Sequence, residues 1–317
     1  MRSLHPLTAT LLDSASDAES LDRASAELHA LFRAAAAPAA DAAEAIIDRR
    51  LDSGLALSPA LAAKCLLDGR RTGAFLRGAL QAIRDAVQRH APEAVEVLYA
   101  GTGPFAPLAF LLMPFLDSQR VRFTLLDAHP ESTQSVSALV DALGVADYVR
   151  EVVCADATTY RHPSEVHVLI SETMQRSLAE EPFVAILRNL RPQLAPGGGV
   201  VPERVTVDLA LLDPATEQTR WNGVPHPPHP TASLGTVFAV DASREWTATA
   251  IDVPCDARWV ALMTRIVVHQ NEVLEPYASG LTTPEILWPL SPVARDLTLE
   301  FRYRDGSAPR IEWRERV

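Results

Sequence analysis

Val97-Leu-Tyr-Ala-Gly-Thr-Gly-Pro104 ends a short apolar run and leads into another segment of helical texture. Gly101 and Gly103, on either side of Thr102, let the backbone turn sharply and come close to a ligand. A plain strand-to-helix turn reads the same way, so the surroundings must decide. Asp127 closes the next strand-like run, 122–127, 26 residues after Gly101. A carboxylate there can accept hydrogen bonds from both hydroxyls of a ribose. Asp156, followed by Ala157, comes after the third run, 150–154, where an adenine amino group is expected. Either acid alone reads as a solvated strand end or a helix cap. Three landmarks at three successive strand ends read as a nucleotide site, because ligands gather at that edge of a parallel sheet.

Outward from this loop, Val95–Ala100, 122–127, 150–154 and Val166–Ser171 alternate with helical segments, notably 132–143. That alternation predicts an α/β fold, a Rossmann-like parallel sheet with helices on both faces. Upstream, 16–33 places Leu21, Ala24, Leu28 and Phe32 at helical steps. Ala37-Pro38 interrupts the pattern, 41–51 resumes it, and further helices are expected over 59–67 and 71–90. Ala195-Pro-Gly-Gly-Gly199 reads as a break. Beyond it, 200–212, 236–240, 247–253, Trp259–His269, 297–303 and 309–316 read as strands of an antiparallel, β-barrel-like domain. Asp305-Gly306 is the turn of its last hairpin. The expected organisation is an N-terminal helical segment over 1–60, the sheet domain over 61–199 and the barrel-like domain over 200–317.

With 317 residues, 48% hydrophobic and 22% charged, the chain can bury a large core without disulfides or metal. Its net charge of −11 argues against nucleic acid, whose phosphates it would repel, and suits a cationic ligand. Cys65, Cys154 and Cys255 are too scattered for a disulfide framework or a zinc site, and no metal is expected. No basic segment precedes an apolar core near the start, and 108–116 is too short to span a bilayer. A cytoplasmic protein with no membrane partner is therefore expected.

The fourth strand ends at Ser171-Glu-Thr-Met174, and Glu180-Glu181-Pro182 opens a helix soon after. Glu172 and Glu181 stand nine residues apart, enough for a loop that folds back and joins two carboxylates. The plainer reading makes Glu180 and Glu181 helix N-terminal acids ahead of Pro182. That leaves Glu172 unexplained at the ligand-binding edge, and Glu180 remains the alternative second acid. Met174 reads equally as pocket lining or as core.

These residues resemble the protein arginine methyltransferases. That family has a double-glutamate loop of this spacing, matched by Glu172 and Glu181, and an Asp-x-x-Arg-Thr helix start, matched by Asp68-Gly-Arg-Arg71-Thr72. The glycine loop is most similar to the symmetric-type branch, and the likeness covers roughly residues 60–317. The resemblance implies S-adenosyl-L-methionine as cofactor, held by Arg71 at its methionine carboxylate, by Gly101, Thr102 and Gly103, and by Asp127, Asp156 and Ala157. It implies Glu172 and Glu181 as the clamp on a guanidinium, with Met174 nearby, and a homodimer. Three departures stand out. Tyr99 occupies a position where the glycine motif usually begins with an acid. Ile286-Leu-Trp288 matches the family's Thr-His-Trp loop with Leu287 in place of the His that pairs with the Asp68 equivalent. Residues 216–232 are short and proline-rich where a dimerisation arm is expected. The altered loop and missing arm favour free L-arginine over a protein substrate. The expected product is N-omega-methyl-L-arginine, made in antibiotic biosynthesis.

Other assignments compete with these. A nicotianamine-synthase-like aminobutanoyl transferase would share the Gly-x-Gly-Pro loop, and a non-catalytic binding module would keep the fold alone. His226 and His229 read as a solvated loop before they read as metal ligands. His269 reads as a packing or hydrogen-bonding residue, and Trp288 as pocket lining or barrel core.

Overall fold

The computed structural model describes residues 4–36, 46–213, 217, 232–248, 250–254, 259–287 and 296–316. Helices α1 (Leu4–Leu12) and α2 (Ala18–Ala35) open the chain. Asp17 caps α2 by accepting from the Ser20 N–H. Its Leu21, Ala24, Leu28 and Phe32 form one buried stripe, as their spacing requires.

The helix expected over 41–51 fails where it can be checked. Strands β1 (Arg49–Leu51) and β2 (Gly54–Ala56) form an antiparallel hairpin with Leu51 opposite Gly54. Gly54 takes φ +148°, a conformation closed to a helix and to most side chains. Residues 41–45, with Ala37 and Pro38, lie outside the described residues. Helices α3 (Pro59–Lys64) and α4 (Gly69–Arg89) follow, the second capped by Asp68 through the Arg71 N–H. α1 and α2 pack on α4 and on each other.

The next stretch builds the parallel sheet from β3 (Val95–Ala100), α5 (Pro107–Phe110), β4 (Val121–Asp127), α6 (Pro130–Leu143), β5 (Val149–Cys154), β6 (Val166–Ser171), α7 (Phe183–Leu190) and β7 (Leu194–Val201). Strand order is β5-β4-β3-β6-β7, all parallel. Val97, Leu98, Ala100, Val168, Leu169 and Ile170 are buried, as a sheet covered on both faces demands. The order reverses between β3 and β6, where Ala100 sits opposite Ser171, and a crevice opens at the carboxyl ends of such strands. The glycines at 197–199 are not a break. They lie inside β7, where Gly199, Val200 and Val201 pair with Val168, Leu169 and Ile170. The strand expected over 200–212 is consequently split at Pro202 between two sheets.

The remaining strands are antiparallel: β8 (Arg204–Leu212), β9 (Ala232–Asp241), β10 (Glu245–Thr247), β11 (Ala250–Val253), β12 (Trp259–His269), β13 (Glu272–Leu274), β14 (Glu285–Ile286), β15 (Leu297–Arg304) and β16 (Arg310–Arg316). One sheet runs β10-β9-β8-β12-β13 with β14 on β12, the other β11-β15-β16. The single strand expected over 247–253 is therefore two, one in each sheet. Phe238 stacks on Tyr303 at 4.7 Å between ring centroids and ties the two sheets together. Asp305-Gly306 lies between β15 and β16, with Gly306 at φ +108°. One apolar core runs from Leu4 through the parallel sheet to Ile311. Among the described residues no helix is long and apolar enough to cross a membrane, and no cluster of His, Cys, Asp and Glu could hold a metal ion.

Candidate active site

A pocket opens at the reversal point of the parallel sheet. Gly101, Thr102, Gly103, Asp127, Asp156 and Ala157 line one end, and Arg71, Glu172, Met174 and Glu181 the other. Gly101 has φ +77°, and a Cβ there would come within 2.1 Å of Thr173 Cγ2. Conformation and space both require glycine. The Gly101 and Thr102 N–H groups donate to Leu126 O and fasten the loop to β4. Asp127 is nearly buried. Its Oδ2 accepts the Gly103 N–H at 2.8 Å and its Oδ1 the His129 N–H at 2.9 Å. Burial pushes the Asp127 carboxyl upward and these backbone donors oppose it. Asp156 closes a turn with one of its oxygens: its Oδ1 accepts both the N–H and the hydroxyl of Thr158, at 2.8 and 2.7 Å.

The hairpin β1–β2 supplies a wall that sequence reasoning missed. Leu51, Leu55 and Ala56 line the pocket. Arg49 donates to Ala128 O at 2.6 Å, and His129 Nε2 lies 3.2 Å from Ala56 O. On the other side the Leu55 N–H donates to Glu180 O at 2.8 Å, and a Cβ on Gly54 would fall 2.8 Å from that same oxygen. Asp52-Ser53-Gly54 ahead of the apolar Leu55-Ala-Leu57 was the available signal for a tight turn. Cys65, also not foreseen for the site, lines the pocket, and burial raises its thiol pKa.

At the far end Glu172 leaves β6 and meets Arg71, which the first turn of α4 presents. The two side chains form an ion pair through Arg71 Nη2 and Glu172 Oε2. Burial opposes the Arg71 charge, but Glu172 outweighs it and holds the guanidinium protonated. Burial also pushes the Glu172 carboxyl up, against the pull of Arg71, and its Oε1 is sealed without a hydrogen-bond partner. Glu181 is 8% exposed; burial first, then repulsion from Glu172, raise its pKa to about 8. Glu180 is exposed and does not line the pocket, so the second acid facing Glu172 is Glu181.

The loop joining them is strained, with Ser177, Leu178 and Glu180 at φ +56°, +55° and +62°. The barrel holds it there. Thr264 Oγ1 accepts the Ser177 N–H at 2.8 Å, and Pro309 O accepts the Glu180 N–H at 2.7 Å. The Asp68 link expected from a histidine is made by backbone: Asp68 Oδ2 accepts the Gly280 N–H at 3.1 Å. Leu287 is buried, its N–H bonded to Val260 O. His269 sits away from the pocket, between Asp85 Oδ2 at 3.1 Å and Glu203 Oε1 at 2.7 Å. Trp288, His226, His229 and nearly all of the 216–232 segment lie outside the described residues.

Two buried carboxylates against one guanidinium make a site in which Glu181 holds its proton until a further cation arrives. The ligand suited to it is a cation with several donors in a plane.

No family model and no curated protein matches the chain. Among solved structures it is similar to Arabidopsis thaliana protein arginine methyltransferase 10, with TM-score 0.53 and 16% identity over 73% of this chain and 84% of that one. A Trypanosoma brucei PRMT1 enzyme–prozyme heterotetrameric complex with AdoHcy gives TM-score 0.48 and 14% identity over 76% and 89%. The first likeness establishes the fold: a Rossmann-like parallel sheet followed by an antiparallel, barrel-like region.

Proposed function

We propose that this chain is an S-adenosyl-L-methionine-dependent N-methyltransferase acting on a guanidinium nitrogen of arginine, with free L-arginine as substrate and N-omega-methyl-L-arginine as product. The observation that carries this reading is the buried Glu172–Glu181 pair, opening on the same pocket as the glycine loop. The likeness of fold to an arginine methyltransferase supports it.

The nucleotide end fits the cofactor. Gly101 and Gly103 leave the loop free of side chains, and Asp127 offers fixed acceptors beside it. Arg71 is the cation suited to the carboxylate of the cofactor's amino-acid end. When bound, the cofactor supplies an electrophilic methyl group on a sulfonium sulfur. Glu172 and Glu181 accept paired hydrogen bonds from the planar guanidinium fork and hold its charge on two nitrogens. The third nitrogen is left facing the methyl group, and such alignment recovers roughly 7–11 kcal/mol of barrier. Glu181, a stronger base than an ordinary carboxylate, takes the proton that the alkylated nitrogen gives up.

The hairpin favours the free amino acid. It is tied to the double-glutamate loop through Leu55, and Arg50 donates to Ser307 O at 2.6 Å beyond the last barrel turn. In this reading that tied wall narrows the way in for a peptide more than for a single amino acid. Incubating the protein with S-adenosylmethionine and either L-arginine or an arginine-glycine peptide, then weighing the products, tests the reading. A one-methyl gain on free arginine is expected. A gain on the peptide alone would overturn the substrate, and no methyl gain on either would overturn the activity.

A further inference from the structure

Tyr99, the next-to-last residue of β3, takes no part in the clamp, yet it is one of the pocket's walls. It is 3% exposed. Its hydroxyl has no hydrogen-bond partner among the described residues and is not sealed in the core either, so it faces the pocket. A buried phenol normally finds a partner, and one left open toward a pocket is waiting for a ligand atom. Register fixes which end of the pocket it serves. Tyr99 pairs with Ile170, two residues before Glu172, and the next residue of its strand opposes Ser171. Glu172 and Arg71 act on it more strongly than Asp127 does, and burial with the Glu172 charge keeps the phenol neutral, hence a donor.

A guanidinium carries only donors and is already met by two carboxylates, so it has no use for a further one. An α-carboxylate does. Arg71 stands beside the same spot, but its Nη2 is committed to Glu172. A second donor there would add to whatever Arg71 still offers an amino-acid head.

We propose that the Tyr99 hydroxyl donates a hydrogen bond to the α-carboxylate of the cofactor's amino-acid end, sharing it with Arg71. This rests on the S-adenosylmethionine reading above. The position that usually carries an acid in such loops would then carry a neutral donor here.

The test compares calorimetric binding of S-adenosylhomocysteine with that of S-adenosyl-3-thiopropylamine, the same molecule without its carboxylate, to the wild type and to Tyr99→Phe. The substitution should weaken S-adenosylhomocysteine roughly 10–100-fold, the scale of a hydrogen bond to a charged group, and leave the decarboxylated analogue within about twofold. Equal weakening of both ligands would make Tyr99 a wall of the pocket, and no weakening would remove it from the site. Either result overturns the proposal while the cofactor reading stands. Free arginine also has an α-carboxylate. If Tyr99→Phe instead weakened L-arginine but not agmatine, with S-adenosylhomocysteine unaffected, the cofactor assignment would be overturned. Failure of the wild type to bind S-adenosylhomocysteine would overturn the cofactor reading and this proposal with it.

Discussion

The two ends of the pocket handle their acids in opposite ways. At the glycine-loop end Asp127 and Asp156 are already bonded by backbone donors of Gly103, His129 and Thr158. At the other end Glu172 keeps one sealed oxygen without a partner, Glu181 resists ionisation, and the loop between them holds three residues at positive φ. An acid fixed by its own backbone is stable as it stands and suits a neutral hydroxyl. Two carboxylates buried with one arginine are costly until a cation joins them, and that cost is what a guanidinium would relieve on binding. One end is thus prepared by geometry, and at the other Glu181 holds a proton that an arriving cation would displace.

The contrast breaks most sharply at Glu172. Glu172→Gln should lower methyl transfer roughly 10²–10³-fold while S-adenosylhomocysteine affinity stays within about threefold. Glu180→Gln should leave turnover nearly unchanged, because that side chain faces solvent. If Glu172→Gln reduced cofactor affinity as much as turnover, the two ends would not be separate. Asp127→Asn should do the reverse, weakening the cofactor about tenfold in calorimetry with little change in turnover at saturation.

A smaller effect appears in stability against pH. Glu181 holds its proton in the fold up to about pH 8, whereas the unfolded chain loses it near the ordinary 4.5. Between those values the folded state binds more protons, so this group's contribution falls as pH rises through the window. Melting curves of Glu181→Gln and wild type should diverge in favour of the variant between pH 5 and roughly 8. Identical slopes would mean that Glu181 is ionised in the free protein.

Much of this was legible beforehand, and the reasons are specific. Short, mostly apolar runs such as Val166–Ser171 read as buried strands, and Gly101, Asp127 and Glu172 fall where those strands end. The hairpin was hidden because 41–51 carries helical periodicity, while its pairing depends on Gly54 fitting against Glu180 O, a contact remote in sequence. The glycines at 197–199 look like a linker in one dimension. Only the neighbouring β6 makes them a strand, through main-chain bonds that need no side chains. The partner of Asp68 was equally out of reach, since a histidine was expected and the Gly280 backbone serves. In the sequence, Glu181 is preferred to Glu180 on the nine-residue spacing of the resemblance alone, since adjacent identical residues do not reveal which of them is buried.

The most direct test of the clamp is its proton balance. L-Arginine would be titrated at pH 7 into protein saturated with S-adenosylhomocysteine, in two buffers of different ionisation enthalpy. Glu181 should ionise as the guanidinium arrives, releasing most of one proton per arginine bound, and Glu181→Gln should abolish that release. Arginine binding with no proton released, or with the same release from the variant, would contradict a guanidinium held between Glu172 and Glu181.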